Sequence, residues 1–122
     1  MKFLSVYKTV ERGLPPTQEE IATMGKLIED GMQAGHLLAV EGCMPSAAGA
    51  RIRSSGGKVI VTDGPFTESK EVIGGLALLQ ADSKEEAVEF VRQFLRAAGD
   101  AECELRQLFD APGNNCAPVR EK

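Results

Sequence analysis

Ser83-Lys84-Glu85-Glu86-Ala87-Val88-Glu89-Phe90-Val91-Arg92-Gln93-Phe94-Leu95-Arg96-Ala97-Ala98-Gly99, followed two residues later by Glu102-Cys103-Glu104-Leu105-Arg106-Gln107-Leu108-Phe109, decides the fold. Ser83 and Glu86 form a capping box, a side chain and a backbone amide satisfying each other at a helix start. Ala87, Val91, Phe94, Leu95 and Ala98 then recur at helical spacing, and Gly99 supplies the stop. From Glu102 the period changes to two, with Cys103, Leu105, Gln107 and Phe109 on one face of a strand. The same grammar occurs upstream. Thr17-Gln18-Glu19-Glu20 is a second capping box, Ile21, Met24, Leu27, Ile28 and Met32 mark a stripe, Gly35 ends it, and the apolar run in His36 to Gly42 reads as a strand.

Further strands surround these two units. Lys2 to Lys8 alternates, with Phe3, Ser5 and Tyr7 on one face and Leu4 and Val6 on the other, before Gly13-Leu14-Pro15-Pro16 interrupts it. Arg51-Ile52-Arg53 and Lys58 to Thr62 flank Ser54-Ser55-Gly56-Gly57, the pattern of a hairpin with a four-residue turn and a basic side. Val72 to Gln80 is apolar, and its Gly74-Gly75 predicts either a bulge or a close approach by another backbone. The order is strand, helix, strand, hairpin, strand, helix, strand. That is an α+β chain of the ferredoxin-like, split β-α-β type with an inserted β-hairpin. Two helices cover only one face of such a sheet. The other face, carrying Phe3 and Tyr7 or Leu4 and Val6, predicts a homodimer with the sheets facing each other.

At 122 residues the chain supports one domain, read here as residues 1–110, with an aperiodic and flexible tail at 111–122. A net charge of −4 offers no general attraction to nucleic acid or anionic lipid. The apolar start is too short for a signal sequence or a membrane span, which predicts a cytoplasmic protein. Cys43, Cys103 and Cys116 are odd in number and lack a C-x-x-C pair, so they read as free thiols, with Cys116 the most exposed. No phosphate-binding glycine loop, nucleophile elbow or histidine pair occurs, and no cofactor or metal is expected.

Asp63-Gly64-Pro65-Phe66-Thr67-Glu68-Ser69-Lys70-Glu71-Val72-Ile73-Gly74-Gly75 resembles the signature of the YCII-related family, in its DGPF branch. Gly13-Leu14-Pro15-Pro16, Ala34-Gly35, Glu41-Gly42, Pro45-Ser46, Gly49-Ala50-Arg51 and Leu108-Phe109 extend the likeness over nearly the whole chain. The resemblance implies a dimeric α+β barrel of ferredoxin-like subunits. It also implies a cleft in which some members carry a His and Asp pair, with one relative acting as a dehydrochlorinase-like enzyme, and a link between some DGPF proteins and sigma factors. This chain departs from the pattern. Residues 17–34 hold no histidine, and Cys43 and Met44 stand where similar proteins have Leu-His.

Asp63 closes a strand and enters a turn, where a carboxylate either acts as a base in a cleft or caps local amides. Glu41, in an otherwise apolar strand, either finds a cation such as Arg51 or Lys70 or has a raised pKa suited to proton transfer. Arg51, Arg53, Lys70 and Glu71 are candidate contacts for a polar ligand, and His36, the sole histidine, sits at a helix end. Each of these five also has the plainer reading of a solvated surface group. Phe66 reads as a buried anchor for the loop. Two functions follow: a cleft binding a small polar or aromatic molecule, with Asp63 and Glu41 as acid-base pair, or a non-enzymatic regulatory module.

Overall fold

Lys2–Thr9 forms β1, the strand around which the sheet is assembled, and a computed structural model describes it within residues 1–11 and 15–109. It is followed by α1 (Gln18–Ala34), β2 (Leu37–Gly42), a short 3-10 turn (Ser46–Ala48), β3 (Ala50–Ser55), β4 (Lys58–Asp63), β5 (Val72–Gln80), α2 (Lys84–Ala98) and β6 (Glu102–Gln107). The sheet order is β2-β5-β1-β6, all antiparallel, while β3 and β4 form a two-stranded sheet of their own. This is the ferredoxin-like α+β arrangement with an inserted hairpin. The sheet is open, and no barrel closes within one chain. The tail at 111–122, Cys116 and the Gly13-Leu14 part of the first break lie outside the described residues.

The helix ends follow the capping chemistry. The Thr17 hydroxyl accepts from the Glu20 amide at 3.1 Å while the Glu20 carboxylate accepts from the Thr17 amide at 2.8 Å. Gly35, at φ 86°, takes the left-handed conformation that closes α1. At α2, the Ser83 hydroxyl accepts from the Glu86 amide at 3.1 Å, and the Glu86 carboxylate reaches the Asp82 amide, one residue before the position a full capping box uses.

The register assigns the faces of the sheet. Phe3 pairs with Leu79 and Gln107, Ser5 with Ala77 and Leu105, and Tyr7 with Gly75 and Cys103. That face meets the helices: Tyr7 packs edge-on against Phe94 at 5.4 Å, and Phe90 and Val91 lie against Phe3, Leu79, Ala81 and Ala87. Leu4 and Val6 therefore point to the face without helices. The core is small, and Phe3 is the one large side chain fully enclosed among the described residues. Helix α1 buries none of its residues; Ile21 and Met32, at the two ends of its stripe, are more than 45% exposed because α1 leans on α2 and β2 rather than over the sheet centre.

One turn and one strand end differ from the sequence reading. The hairpin closes through Gly56 and Gly57 alone, both at positive φ, so Ser54 and Ser55 belong to β3. A two-residue loop of this hand matches the twist of the strands, which is why the glycine pair takes the turn. The last strand stops at Gln107, although the Leu108 amide still donates to the Lys2 carbonyl; Phe109 is 95% exposed. At Gly74-Gly75 both alternatives occur. Gly74 is the extra residue where the register slips between Tyr7 and Lys8, and a Cβ on Gly75 would lie 2.8 Å from the Glu41 carbonyl oxygen.

Because so much of the apolar core is concentrated in one ring, Phe3→Ala is expected to destabilise the chain by about 3–5 kcal/mol. Urea unfolding followed by far-UV circular dichroism checks it, and a loss below about 1 kcal/mol contradicts this placement of the core.

Candidate functional site

A cleft of about 700 Å³ opens where β1 ends and β3 and β5 begin. Its walls include Lys8 from β1, Cys43 to Ser46 from the link after β2, Arg51 from β3, Phe66 from the signature loop, and Glu71 and Ile73 at the start of β5. The volume is in the range that encloses small metabolites.

The signature loop is held by backbone contact. The Gly64 amide donates to the Gly49 carbonyl at 2.9 Å, and the Gly64–Pro65 peptide is cis. A Cβ on Gly64 would fall 1.7 Å from the Ser46 carbonyl oxygen, so no other residue fits without moving the chain. Ser46 is buried at this junction. Its amide and its hydroxyl donate to the two oxygens of Glu11 at 2.6 and 2.7 Å, and the same hydroxyl accepts from the Phe66 amide at 3.3 Å. One side chain therefore ties the end of β1 to the signature loop.

Phe66 is half-buried and carries the Arg51 guanidinium 4.1 Å above its ring centre. Arg51 also pairs with Glu68 and donates to the Ser69 hydroxyl. Cation–π stacking and the bridge to Glu68 fix the planar group at the cleft wall. Phe66 is thus a stacking platform for Arg51 as well as an anchor. Across the cleft, Lys8 donates to Glu104 at 2.9 Å.

The charged groups respond to these partners. The Ser46 amide, then its hydroxyl, holds the Glu11 carboxyl below its ordinary range. The Glu104 hydrogen bond raises Lys8, with Glu102 and Glu71 adding smaller attractions, and Lys8 in turn lowers Glu104, assisted by Arg106. Cys103 moves up because burial disfavours its thiolate, against a hydrogen bond with Ser5.

Of the residues singled out from sequence, the cleft gathers Arg51 and Glu71. Asp63 ends β4 opposite Ala50, exposed and one residue before the Gly64 contact, outside the lining. Glu41 is exposed beside Leu76 on the face without helices. Among the described residues neither Arg51 nor Lys70 forms an ion pair with it. Arg53 shares the Arg51 face of the hairpin farther from the cleft, opposite Ile60. Lys70 is exposed, and His36 stacks on Phe90 at 4.0 Å on the helix side. Sequence reasoning missed Lys8, Ser46 and Glu11 as site residues. Lys8 had a signal, a cation ending an otherwise apolar strand; Glu11 had none, its partner lying 35 positions away. Among the described residues no group of three or more His, Cys, Asp or Glu side chains is placed to hold a metal, and no helix is long and apolar enough to cross a membrane.

The family model of the YCII-related domain matches residues 1–108. An uncharacterised protein of Rhizobium meliloti (strain 1021) is 41% identical over 66 residues, 54% of this chain and 53% of the relative. The match thus spans about half of that relative's length.

Two outcomes are expected. Gly64→Ala forces a methyl into backbone and should destabilise by about 1–3 kcal/mol, read by thermal unfolding; an unchanged midpoint contradicts the packing at Ser46. Glu11, with a folded pKa below its ordinary 4.5, contributes stability that is complete above that value and is lost as the pH falls through the folded one. Glu11→Gln should therefore lower the unfolding midpoint at neutral pH and converge on the parent in acid. A gap that persists at low pH is inconsistent with the carboxylate contact.

Proposed function

This chain belongs to the YCII-related domain family, and we propose that it binds a small polar or aromatic molecule in the cleft between Lys8, Arg51, Phe66 and Glu71. The observation that carries the reading is convergence: two cations, a carboxylate and an aromatic ring meet in one cavity whose remaining wall is mostly apolar, Met44, Val72 and Ile73 among it. Such a lining orients a planar ligand by its polar edge and desolvates its ring. In this reading the protein is a cytoplasmic member of the DGPF branch and works as a homodimer, the second copy covering Leu4, Val6 and Leu76. Asp63 and Glu41, near but outside the lining, are the carboxylates through which acid-base chemistry on such a ligand would run.

A regulatory or interaction module, including one serving sigma-factor control, is the second reading. It is favoured by the hairpin, every residue of whose strands is exposed.

The test uses benzoate and salicylate as probes in a nuclear magnetic resonance titration. Shifts should cluster on Lys8, Phe66, Glu71 and Ile73, and Arg51→Ala should weaken binding about tenfold, the scale of one charged hydrogen bond. Shifts scattered over the helices, or unaffected by Arg51→Ala, would remove the cleft from consideration. Asp63→Asn separates the chemical part: a ligand turned over equally well by this variant needs another base.

A further inference from the structure

Two cations and one carboxylate line the cleft, yet the cations are the groups already matched. Lys8 donates to one oxygen of Glu104, and Arg106 reaches the other. Glu102 and then Glu71 attract Lys8 more weakly, so a single ammonium faces three carboxylates. Arg51 is bridged to Glu68, donates to the Ser69 hydroxyl and lies on the Phe66 ring. Its fork of five N–H donors leaves some for a polar edge, but its charge is balanced.

Glu71 is the exception. It stands in the lining, and among the described residues it enters no ion pair. Its pull on Lys8 is the weakest of the three that Lys8 feels. Lys70, its neighbour in the chain, is exposed and outside the lining. The charge left over inside the cleft is therefore negative, the same sign as the net charge of −4 on the whole chain. Beside Glu71 the wall turns apolar through Val72, Ile73 and Met44. Water screens an exposed carboxylate, but a ligand that covers such a wall displaces that water and strengthens any charge contact beneath it.

We propose that the ligand of the cleft carries a protonated primary amine on an aromatic or other apolar body, with the ammonium on Glu71 and the body along Met44, Val72 and Ile73. This rests on the cleft being the ligand site and names the class of ligand it takes. An ammonium brings the donors that a carboxylate lacks, and their hydrogen bonds are charge-assisted. An anionic ligand, in contrast, competes with Glu104 for Lys8 and with Glu68 for Arg51.

Nuclear magnetic resonance titrations of the full chain with benzylamine, benzyl alcohol and benzoate, similar bodies of different charge, test the proposal. Benzylamine should bind about tenfold more tightly than benzyl alcohol, the scale of one charged hydrogen bond, and more tightly than benzoate, with shifts at Glu71, Val72 and Ile73. Glu71→Gln, a near-isosteric change at an exposed position, should bring benzylamine and benzyl alcohol to parity. Added salt should narrow the same gap in the parent chain. Glu68→Gln, which releases the charge of Arg51, should move the preference toward benzoate. Benzylamine no tighter than benzyl alcohol, or a preference that survives Glu71→Gln and salt, overturns the amine; benzoate shifts in the lining would then leave the cleft in place. Benzoate affinity unmoved by Glu68→Gln overturns the charge balance from which the amine is inferred. A lining that none of the three probes shifts overturns cleft and amine together.

Discussion

The contact between Gly64 and the Ser46 carbonyl is the constraint from which the cleft follows. Because the signature loop meets the 3-10 turn backbone to backbone, no side chain can intervene, and the loop is laid flat against Ser46. That position brings the Phe66 amide to the Ser46 hydroxyl and sets its ring beneath Arg51. Ser46, buried and with both its donors committed to Glu11, carries the same constraint to the end of β1, where Lys8 enters the cleft. A short motif and an arginine in the hairpin become parts of one wall, braced through Ser46 by a glutamate far away in sequence.

A second constraint acts on the sheet. Gly74 and Gly75 are needed at the slip between β1 and β5, one beside the Tyr7 ring and the other beneath the Glu41 carbonyl. Past the slip the ladder resumes with Ile73 opposite Lys8 and Val72 opposite Thr9, and both Ile73 and Lys8 line the cleft. The helices take the Phe3, Ser5 and Tyr7 side, and the Leu4, Val6 and Leu76 side is left without cover within one chain. Among the described residues the buried apolar core is Phe3, Leu79, Ala81 and Ala87, and it lies wholly on the helix side of the sheet.

Much of the architecture was legible because its signals are local. Thr17 with Glu20, Ser83, Gly35 and the strand alternation each act within a few residues, so the element order and the hairpin could be read directly. The turn length could not, since two glycines suffice once the strand twist is set. The faces of β1 were undecided because both are apolar; register against β5 and the Tyr7–Phe94 contact assign them. The site was less legible. Arg51 and Glu71 were found through charge near the motif, while the importance of Ser46 and Glu11 depends on a contact spanning 35 residues that no period encodes. Asp63, conspicuous in the motif, stands outside the lining because Gly64, not the carboxylate, makes the contact.

The most direct measurement of this account is amide hydrogen exchange in Ser46→Ala. Removing the hydroxyl deletes the acceptor of the Phe66 amide and one of the two donors to Glu11. Exchange at Phe66 and Gly64 should rise about tenfold or more through local opening, while Phe3 and Leu79 in the sheet keep their protection. Uniform loss of protection across the chain, or none at Phe66, would contradict the claim that Ser46 holds the cleft together.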